Sequence, residues 1–340
     1  MRAIVLRGPN DFSLEEVENP VPTSDEVEIR VRVVGICGTD LVLLRGKNPS
    51  MSYPIVPGHE SMGEILWAPE DSKFKKGDRV TAYPAFGCRQ CEACKSGRVP
   101  HCPEAKTVGV LRPGGYFAER IVAHQDRVFL LPDQMEDEVG VMVEPTAVAV
   151  HANHRGEVKK GAKVVVIGGG AIGLLTAQVA RAYGASQVIV SEPIPERRAL
   201  AREMGIELTC NPVGEDLTTF VRKNMGMADV IFDVVGDEKT LTDSVEMLRP
   251  DGHLVLLALP HRERLGIPYR DVFSKELKVI GSRTYFMDDF PKAIKLLNAH
   301  TVRAKPLLGK PLPLDRFAEG VELLEKQPGR YIKILISPLM

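Results

Sequence analysis

The sequence predicts an α/β chain of two lobes, one β-rich and one built on a doubly wound parallel sheet. Three observations carry that class. Apolar and charged residues alternate between dense turn signals in the first third. Short apolar runs alternate with helical patterns from about residue 160. Gly168-Gly169-Gly170-Ala171-Ile172-Gly173 follows the first of those runs. With 340 residues the chain has room for two domains, and 44% apolar against 26% charged residues suits buried cores and excludes wholesale disorder.

The N-terminal MRAIVLRGPNDF carries only four consecutive apolar residues, Ala3 to Leu6, too few for the apolar core of a secretory signal. Val27, Ile29, Val31 and Val33 then alternate with Glu28, Arg30 and Arg32, the pattern of a strand with one buried face. Gly8-Pro9-Asn10, Pro20, Pro22, Pro54, Pro57-Gly58 and Gly77-Asp78 cut this region into short pieces, as in a small barrel with long loops. From Val164–Ile167 onward, the runs Val188–Val190, Leu208–Cys210, Val230–Val235, Leu254–Leu259 and Val279–Ile280 are separated by helical stretches, which implies parallel pairing. Ile172, Leu175, Val179 and Tyr183 form a core-facing stripe at helical spacing. Val164 to Ala180 runs 17 residues without a charge, but three consecutive glycines make it a strand and a helix rather than a membrane span.

Beyond residue 285, Asp288–Asn298 and Arg316–Lys326 read as helices and Tyr331–Ile336 as a closing strand. This tail is too small to stand alone. The expected organisation is a discontinuous lobe, residues 1–147 and 286–340, around a nucleotide-binding lobe, residues 148–285.

Forty-four Lys and Arg balance 45 Asp and Glu, so a net charge of −1 offers no field for nucleic acid or an anionic membrane, and neither is expected as a partner. Four of the six cysteines fall within 15 residues, and without a secretory signal they point to metal in a reducing, cytoplasmic setting rather than to disulfides.

Gly168, Gly170 and Gly173 fit the dinucleotide fingerprint after a strand and at the start of a helix. The first glycine permits the tight turn, the second lets the backbone approach a pyrophosphate, and the third allows close packing. The helix start at Ala171-Ile172 offers free N–H groups to phosphate. Glu192 stands 19 residues after Gly173, where an acid binds the adenosine ribose diol, which favours NAD over NADP. Arg197 and Arg198 nearby could pair with a 2′-phosphate or form a solvated helix face.

Cys88, Cys91, Cys94 and Cys102 are spaced C-x2-C-x2-C-x7-C, a closed four-thiolate structural zinc site. A second constellation is dispersed: Cys37 in Gly35-Ile36-Cys37-Gly38-Thr39-Asp40, His59-Glu60 after Pro57-Gly58, and Glu144 before Pro145. Spacing alone leaves a shared metal open there, because a lone Cys is usually buried filler and Gly-His-Glu usually a turn.

Taken in order, Cys37-Gly38-Thr39-Asp40, Gly58-His59-Glu60, the Cys88–Cys102 loop, Glu144-Pro145 and Gly168–Gly173 resemble the zinc-dependent medium-chain dehydrogenases across essentially the whole chain. Within that family it resembles the sorbitol and L-threonine dehydrogenase branch. Ser52-Tyr53-Pro54 and Gly281-Ser282-Arg283 resemble bacterial sugar-acid enzymes such as L-galactonate or L-gulonate 5-dehydrogenases.

The resemblance implies a GroES-like catalytic lobe, a Rossmann lobe, an active site in the cleft between them, and two zinc ions per subunit in a homotetramer paired partly through Rossmann sheet edges. Cys37, His59 and Glu60 would be catalytic zinc ligands, and Glu144 a fourth ligand or the partner of a zinc-bound water. Asp40 would orient the His59 ring. Thr39 would take the first proton, although its hydroxyl could instead cap the following helix. The implied reaction oxidises a secondary alcohol of a polyol or sugar acid, zinc polarising the hydroxyl while hydride passes to NAD.

Val42 occupies the position of a relay histidine common in the branch, so the proton leaves by water or by Glu60 or Glu144. Arg283 is the candidate for gripping a substrate carboxylate, with cofactor contact or a lobe-to-lobe ion pair as alternatives. L-Threonine, sorbitol and inositol are the alternative substrates. A zinc-free reductase would lack Cys37, His59 and the cysteine loop. A non-catalytic NAD-binding zinc protein would show eroded ligands, and a zinc-ribbon interaction module would leave most of the chain unexplained.

Overall fold

The computed structural model describes residues 1–48, 50–259 and 264–340. Strand β1 (Arg2–Gly8) turns at Pro9-Asn10 into β2 (Asp11–Glu16), with Asn10 at a φ of 61°, which asparagine tolerates. In β3 (Glu26–Gly35), Val27, Ile29, Val31 and Val33 are buried and Arg30 is exposed, so the charged residues mark the outer face. Then follow α1 (Gly38–Leu44), β4 (Glu60–Trp67), β5 (Arg79–Ala82), β6 (Ala85–Phe86), α2 (Glu92–Lys95), β7 (Lys106–Thr107), β8 (Arg120–His124), β9 (Val128–Leu130), α3 (Asp137–Gly140) and α4 (Val143–Arg155).

The alternating part comprises β10 (Lys163–Ile167), α5 (Ala171–Ala182), β11 (Gln187–Ser191), α6 (Pro195–Glu203), β12 (Leu208–Cys210), α7 (Leu217–Met225), β13 (Ala228–Asp233), α8 (Glu238–Met247), β14 (Leu248–Leu256), α9 (Tyr269–Ser274) and β15 (Lys278–Gly281). Its six strands are all parallel in the order β12-β11-β10-β13-β14-β15, the doubly wound nucleotide-binding arrangement. Val164, Val165 and Val166 of the central β10 are wholly buried, each contributing roughly 1.5–3 kcal/mol of hydrophobic stabilisation. The chain ends with α10 (Asp289–Asn298), β16 (Leu312–Pro313), α11 (Phe317–Lys326) and β17 (Leu335–Ser337). β17 pairs with β3 in the sheet β16-β17-β3-β4-β5-β9, and β8 also pairs with β3.

Two compact units result. The first is Met1–Glu144 with Phe286–Asn298 and Leu307–Met340, and the second is Pro145–Tyr285 with Ala299–Pro306. Ala299–Pro306, assigned by sequence to the first lobe, packs with the second because the Arg303 N–H donates to Gln178 Oε1 at 2.8 Å and its guanidinium donates to the Glu203 carbonyl at 3.0 Å. No helix among the described residues is long and apolar enough to cross a membrane.

Three local expectations change. Helix α5 is buried on most sides rather than along one stripe. Leu174, Ala177 and Ala180 are as covered as Leu175 and Val179, whereas Ile172 and Tyr183 are only half-buried. The cause is that α4 also packs against it, with Asn153 donating to the Thr176 carbonyl, and Gln178 meets Arg303. Strand β14 starts at Leu248, ahead of its apolar run, across a register shift in which Asp251 takes a φ of 57°. The closing strand is shorter than its apolar pattern because Lys333 and Ile334 make single bonds, to the Gly309 and Ile36 N–H groups, before the ladder begins.

Candidate functional site

Strand register assembles the first constellation. Gly35, the last residue of β3, pairs with Glu60, the first of β4, and with Leu335 of β17. Cys37 lies two residues past one strand end, His59 one residue before another, and Lys333 two residues before a third. Cys37, His59 and Glu60 consequently offer ligand atoms that all lie within 4.8 Å of one another. A Cβ on Gly35 would stand 2.2 Å from Glu60 Oε2, so a larger residue there would displace that carboxylate.

Around this cluster, buried Asp40 in the first turn of α1 accepts the Cys37 N–H through Oδ2 at 2.8 Å. Its Oδ1 lies 3.6 Å from His59 Nδ1, and neither of those two buried atoms has a hydrogen bond among the described residues. Burial alone would lower the imidazole pKa, but the charges of Asp40 and Cys37 outweigh it and carry it well above its ordinary value. The site therefore draws a cation. Thiolate, imidazole and one carboxylate together suit zinc better than a hard cation that takes only oxygen.

Lys333, which the sequence analysis did not single out, completes the cluster. It is 4% exposed, and its Nζ donates to both carboxylate oxygens of Glu60 at 2.7 Å and to the Ile36 carbonyl at 3.3 Å. Burial opposes its charge, but Glu60 first, then Cys37 and Glu144, keep its pKa raised. The available signal was a lone lysine inside the apolar run Tyr331–Ile336. Glu144, buried in the first turn of α4, stands outside the three-residue cluster, within electrostatic reach of Lys333 and of buried Tyr116. Thr39 is exposed in the first turn of α1. That helix is capped at Cys37, so Thr39 does not act as its cap.

The cysteine loop is closed at its base by the β6–β7 pair. The sulfurs of Cys88, Cys91, Cys94 and Cys102 lie within 4.8 Å of one another. The Cys91 N–H donates to Cys88 Sγ at 3.3 Å, while the Cys88 and Glu104 N–H groups donate to Cys102 Sγ at 3.3 and 3.4 Å. Backbone N–H groups of Gln90 and Cys91 bring the Cys88 thiol down to about 7, whereas burial pushes Cys94 up to about 12. A Cβ on Gly87 would meet Cys94 Sγ at 2.5 Å. Cys210 is fully buried in β12, and all six cysteines are unbridged.

In the second unit, Gly168 takes a φ of 108° at the end of β10, and a Cβ on Gly173 would lie 1.8 Å from the Gly168 carbonyl oxygen. Gly170 caps α5, which opens at Ala171 and Ile172. Buried Glu192 accepts the Gly169 N–H at 2.7 Å and the Ile194 N–H at 2.9 Å, which fixes its carboxylate beside the glycine turn with lone pairs to spare. Arg197 Nη1 lies 3.7 Å from that carboxylate, and a Cβ on Gly170 would come 3.9 Å from Nη1. Arg198 is occupied with the carbonyls of Glu192 and Pro193, both at 2.7 Å. Arg283 is exposed just after β15.

Residues 171–299 match the zinc-binding dehydrogenase family model, and residues 23–133 match that of the alcohol dehydrogenase GroES-like domain. The chain is 30% identical to sorbitol dehydrogenase of Bacillus subtilis (strain 168), over 99% of this chain and 97% of that protein. It is 32% identical to L-galactonate-5-dehydrogenase of Escherichia coli (strain K12), over 95% and 94%. The crystal structure of an alcohol dehydrogenase from E. coli CFT073 complexed with NADH superimposes with a TM-score of 0.91 at 29% identity, covering 99% of both chains. With its GroES-like and parallel-sheet units and two groups of side chains that could each hold a metal ion, the chain belongs to the zinc-dependent medium-chain alcohol and polyol dehydrogenases.

Proposed function

We propose that this dehydrogenase oxidises a secondary hydroxyl of a polyol or sugar acid, such as L-galactonate or L-gulonate, reversibly to a ketone with NAD. The observation that carries this reading is the gathering of Cys37, His59 and Glu60 within 4.8 Å, in a chain similar to sorbitol and L-galactonate dehydrogenases. Bound zinc supplies a Lewis acid that lowers the pKa of a secondary hydroxyl, and bound NAD accepts the hydride.

The chain's own residues do the rest. Cys37, His59 and Glu60 hold the first zinc, Asp40 orients the His59 ring, and Glu144 serves as a fourth ligand or as the partner of a water molecule. Lys333 holds the Glu60 carboxylate by both oxygens, so it competes for that ligand. The exposed hydroxyl of Thr39 takes the substrate proton. Val42 carries no proton-transfer group, so water, Glu60 or Glu144 completes the exit. Cys88, Cys91, Cys94 and Cys102 hold the second, structural zinc. Glu192 binds the adenosine ribose, with Arg197 beside it. Arg283 grips the carboxylate of an acid substrate.

NAD reduction against aldonates, neutral polyols, inositols and L-threonine tests this. Aldonates are expected to give the highest kcat/KM, and Arg283→Ala is expected to lower it on aldonates far more than on polyols. Turnover of L-threonine above every aldonate and polyol would overturn the substrate assignment. Equal losses on both classes would remove Arg283 from carboxylate recognition.

We also infer a homotetramer in a reducing, cytoplasmic compartment. Supporting the assembly, β15 is an edge strand with Val279 41% exposed, and the adjoining α9 exposes Tyr269 and Phe273 at 76% and 74%. Light scattering at working concentration should give four times the chain mass.

A further inference from the structure

Backbone bonds fix Lys333 where β17 approaches β3. Its carbonyl accepts the Gly309 N–H at 2.9 Å, and the carbonyl of the next residue, Ile334, accepts the Ile36 N–H at 2.9 Å. The ladder between the two strands starts immediately afterwards, at Leu335 and Gly35. Lys333 Nζ reaches the end of β3, donating to the Ile36 carbonyl at 3.3 Å and to both oxygens of Glu60 at 2.7 Å. Among the described residues this is the one ion pair that Glu60 makes. The same carboxylate lies directly against Gly35, where no side chain intervenes.

A carboxylate offers about four lone-pair sites, and the two bonds from Lys333 use two of them. Glu60 can thus face a metal ion and the ammonium together. The two cations then repel each other and draw on one negative charge, with water almost excluded at exposures of 4% and 1% for the two side chains. Groups behind a metal ligand usually accept its proton and strengthen it, and their loss costs about 10- to 100-fold in metal affinity. Lys333 is the opposite case, a donor and a cation, so its effect on affinity has the reverse sign.

We propose that Lys333 is a positioning residue that holds Glu60 back as a zinc ligand and thereby sets how tightly the catalytic ion is bound. This rests on the reading that Cys37, His59 and Glu60 hold that ion. A carboxylate held back in this way leaves more of the zinc charge for a substrate hydroxyl. The cluster is otherwise rich in negative groups, with Cys37 and Glu144 also within electrostatic reach of Lys333 and buried Asp40 bonded to the Cys37 N–H.

The test equilibrates the zinc-loaded enzyme with a chromogenic chelator of known affinity and follows the zinc released. Cys37→Ser identifies the catalytic ion as the one it lacks. Lys333→Gln removes the charge but keeps an N–H donor for Glu60, and Lys333→Met removes both. Circular dichroism checks their folds, and Lys333→Gln carries the test if Lys333→Met does not fold. Both variants are expected to hold the catalytic ion about tenfold or more tightly, with the structural ion unchanged. Lys333→Arg, which keeps the charge, is expected to match the wild type. In a Glu60→Gln background Lys333→Gln should gain little, because the contested carboxylate is gone, a dependence that a merely structural lysine would not show. Equal or weaker zinc binding in Lys333→Gln, or a gain just as large in the Glu60→Gln background, would overturn the proposal. A wild-type enzyme that releases one zinc per chain, as Cys37→Ser does, would overturn the metal assignment beneath it as well.

Discussion

Lys333 and Glu60 form an ion pair that is almost entirely out of water, at side-chain exposures of 4% and 1%. Removing one partner of such a pair leaves an uncompensated buried charge, at a cost of about 3–5 kcal/mol. Lys333→Met is accordingly expected to lower the unfolding free energy by about that amount in denaturant titration, and Lys333→Arg to recover most of it. A loss below about 1 kcal/mol for Lys333→Met would mean that Glu60 finds another partner. Thr39→Ala should reduce turnover and shift its pH profile with zinc content unchanged, and an unchanged profile would remove Thr39 from the proton path.

At this scale the sequence was only partly legible. Cys37 and His59 are 22 positions apart, and nothing in their spacing says that β3 and β4 pair so that Gly35 meets Glu60. Resemblance supplied the grouping, and register supplies its physical cause. Lys333 went unnoticed because a lysine in a short terminal strand ordinarily faces solvent, whereas here an internal carboxylate turns it inward.

Among the elements, the cysteine loop depends most on something other than its own core. α2 is one turn long with no buried residue, and β6 and β7 are two residues each. If the four thiolates hold one zinc as proposed, that ion fixes the loop, and Cys102→Ser should lower zinc content by one per chain and expose residues 88–102 to protease. Unchanged stoichiometry and protease resistance would exclude a structural ion. The elements that sequence located best are those whose pattern coincides with burial, such as β3, with its alternating faces, and β10, which is apolar throughout. It did less well where tertiary partners decide. α5 is covered from several sides, and β14 begins in the polar stretch Arg249-Pro250-Asp251 ahead of its apolar run.

For the whole molecule, a net charge of −1 and an average composition gave no reason to expect a polyanion partner and could not distinguish one dehydrogenase from another. The strand order of the second unit and the strand-end cluster of the first narrow the chain to alcohol oxidation with a nicotinamide cofactor. The most direct test compares zinc content and NADH formation from the best aldonate or polyol in the wild-type enzyme and in Cys37→Ser. The wild type should hold two zinc ions per chain and reduce NAD. The variant should keep one, keep its fold by circular dichroism, and lose NADH formation by at least about a thousandfold, since it lacks the thiolate proposed to hold the catalytic metal. A Cys37→Ser enzyme that retains both zinc ions and wild-type turnover would contradict the account.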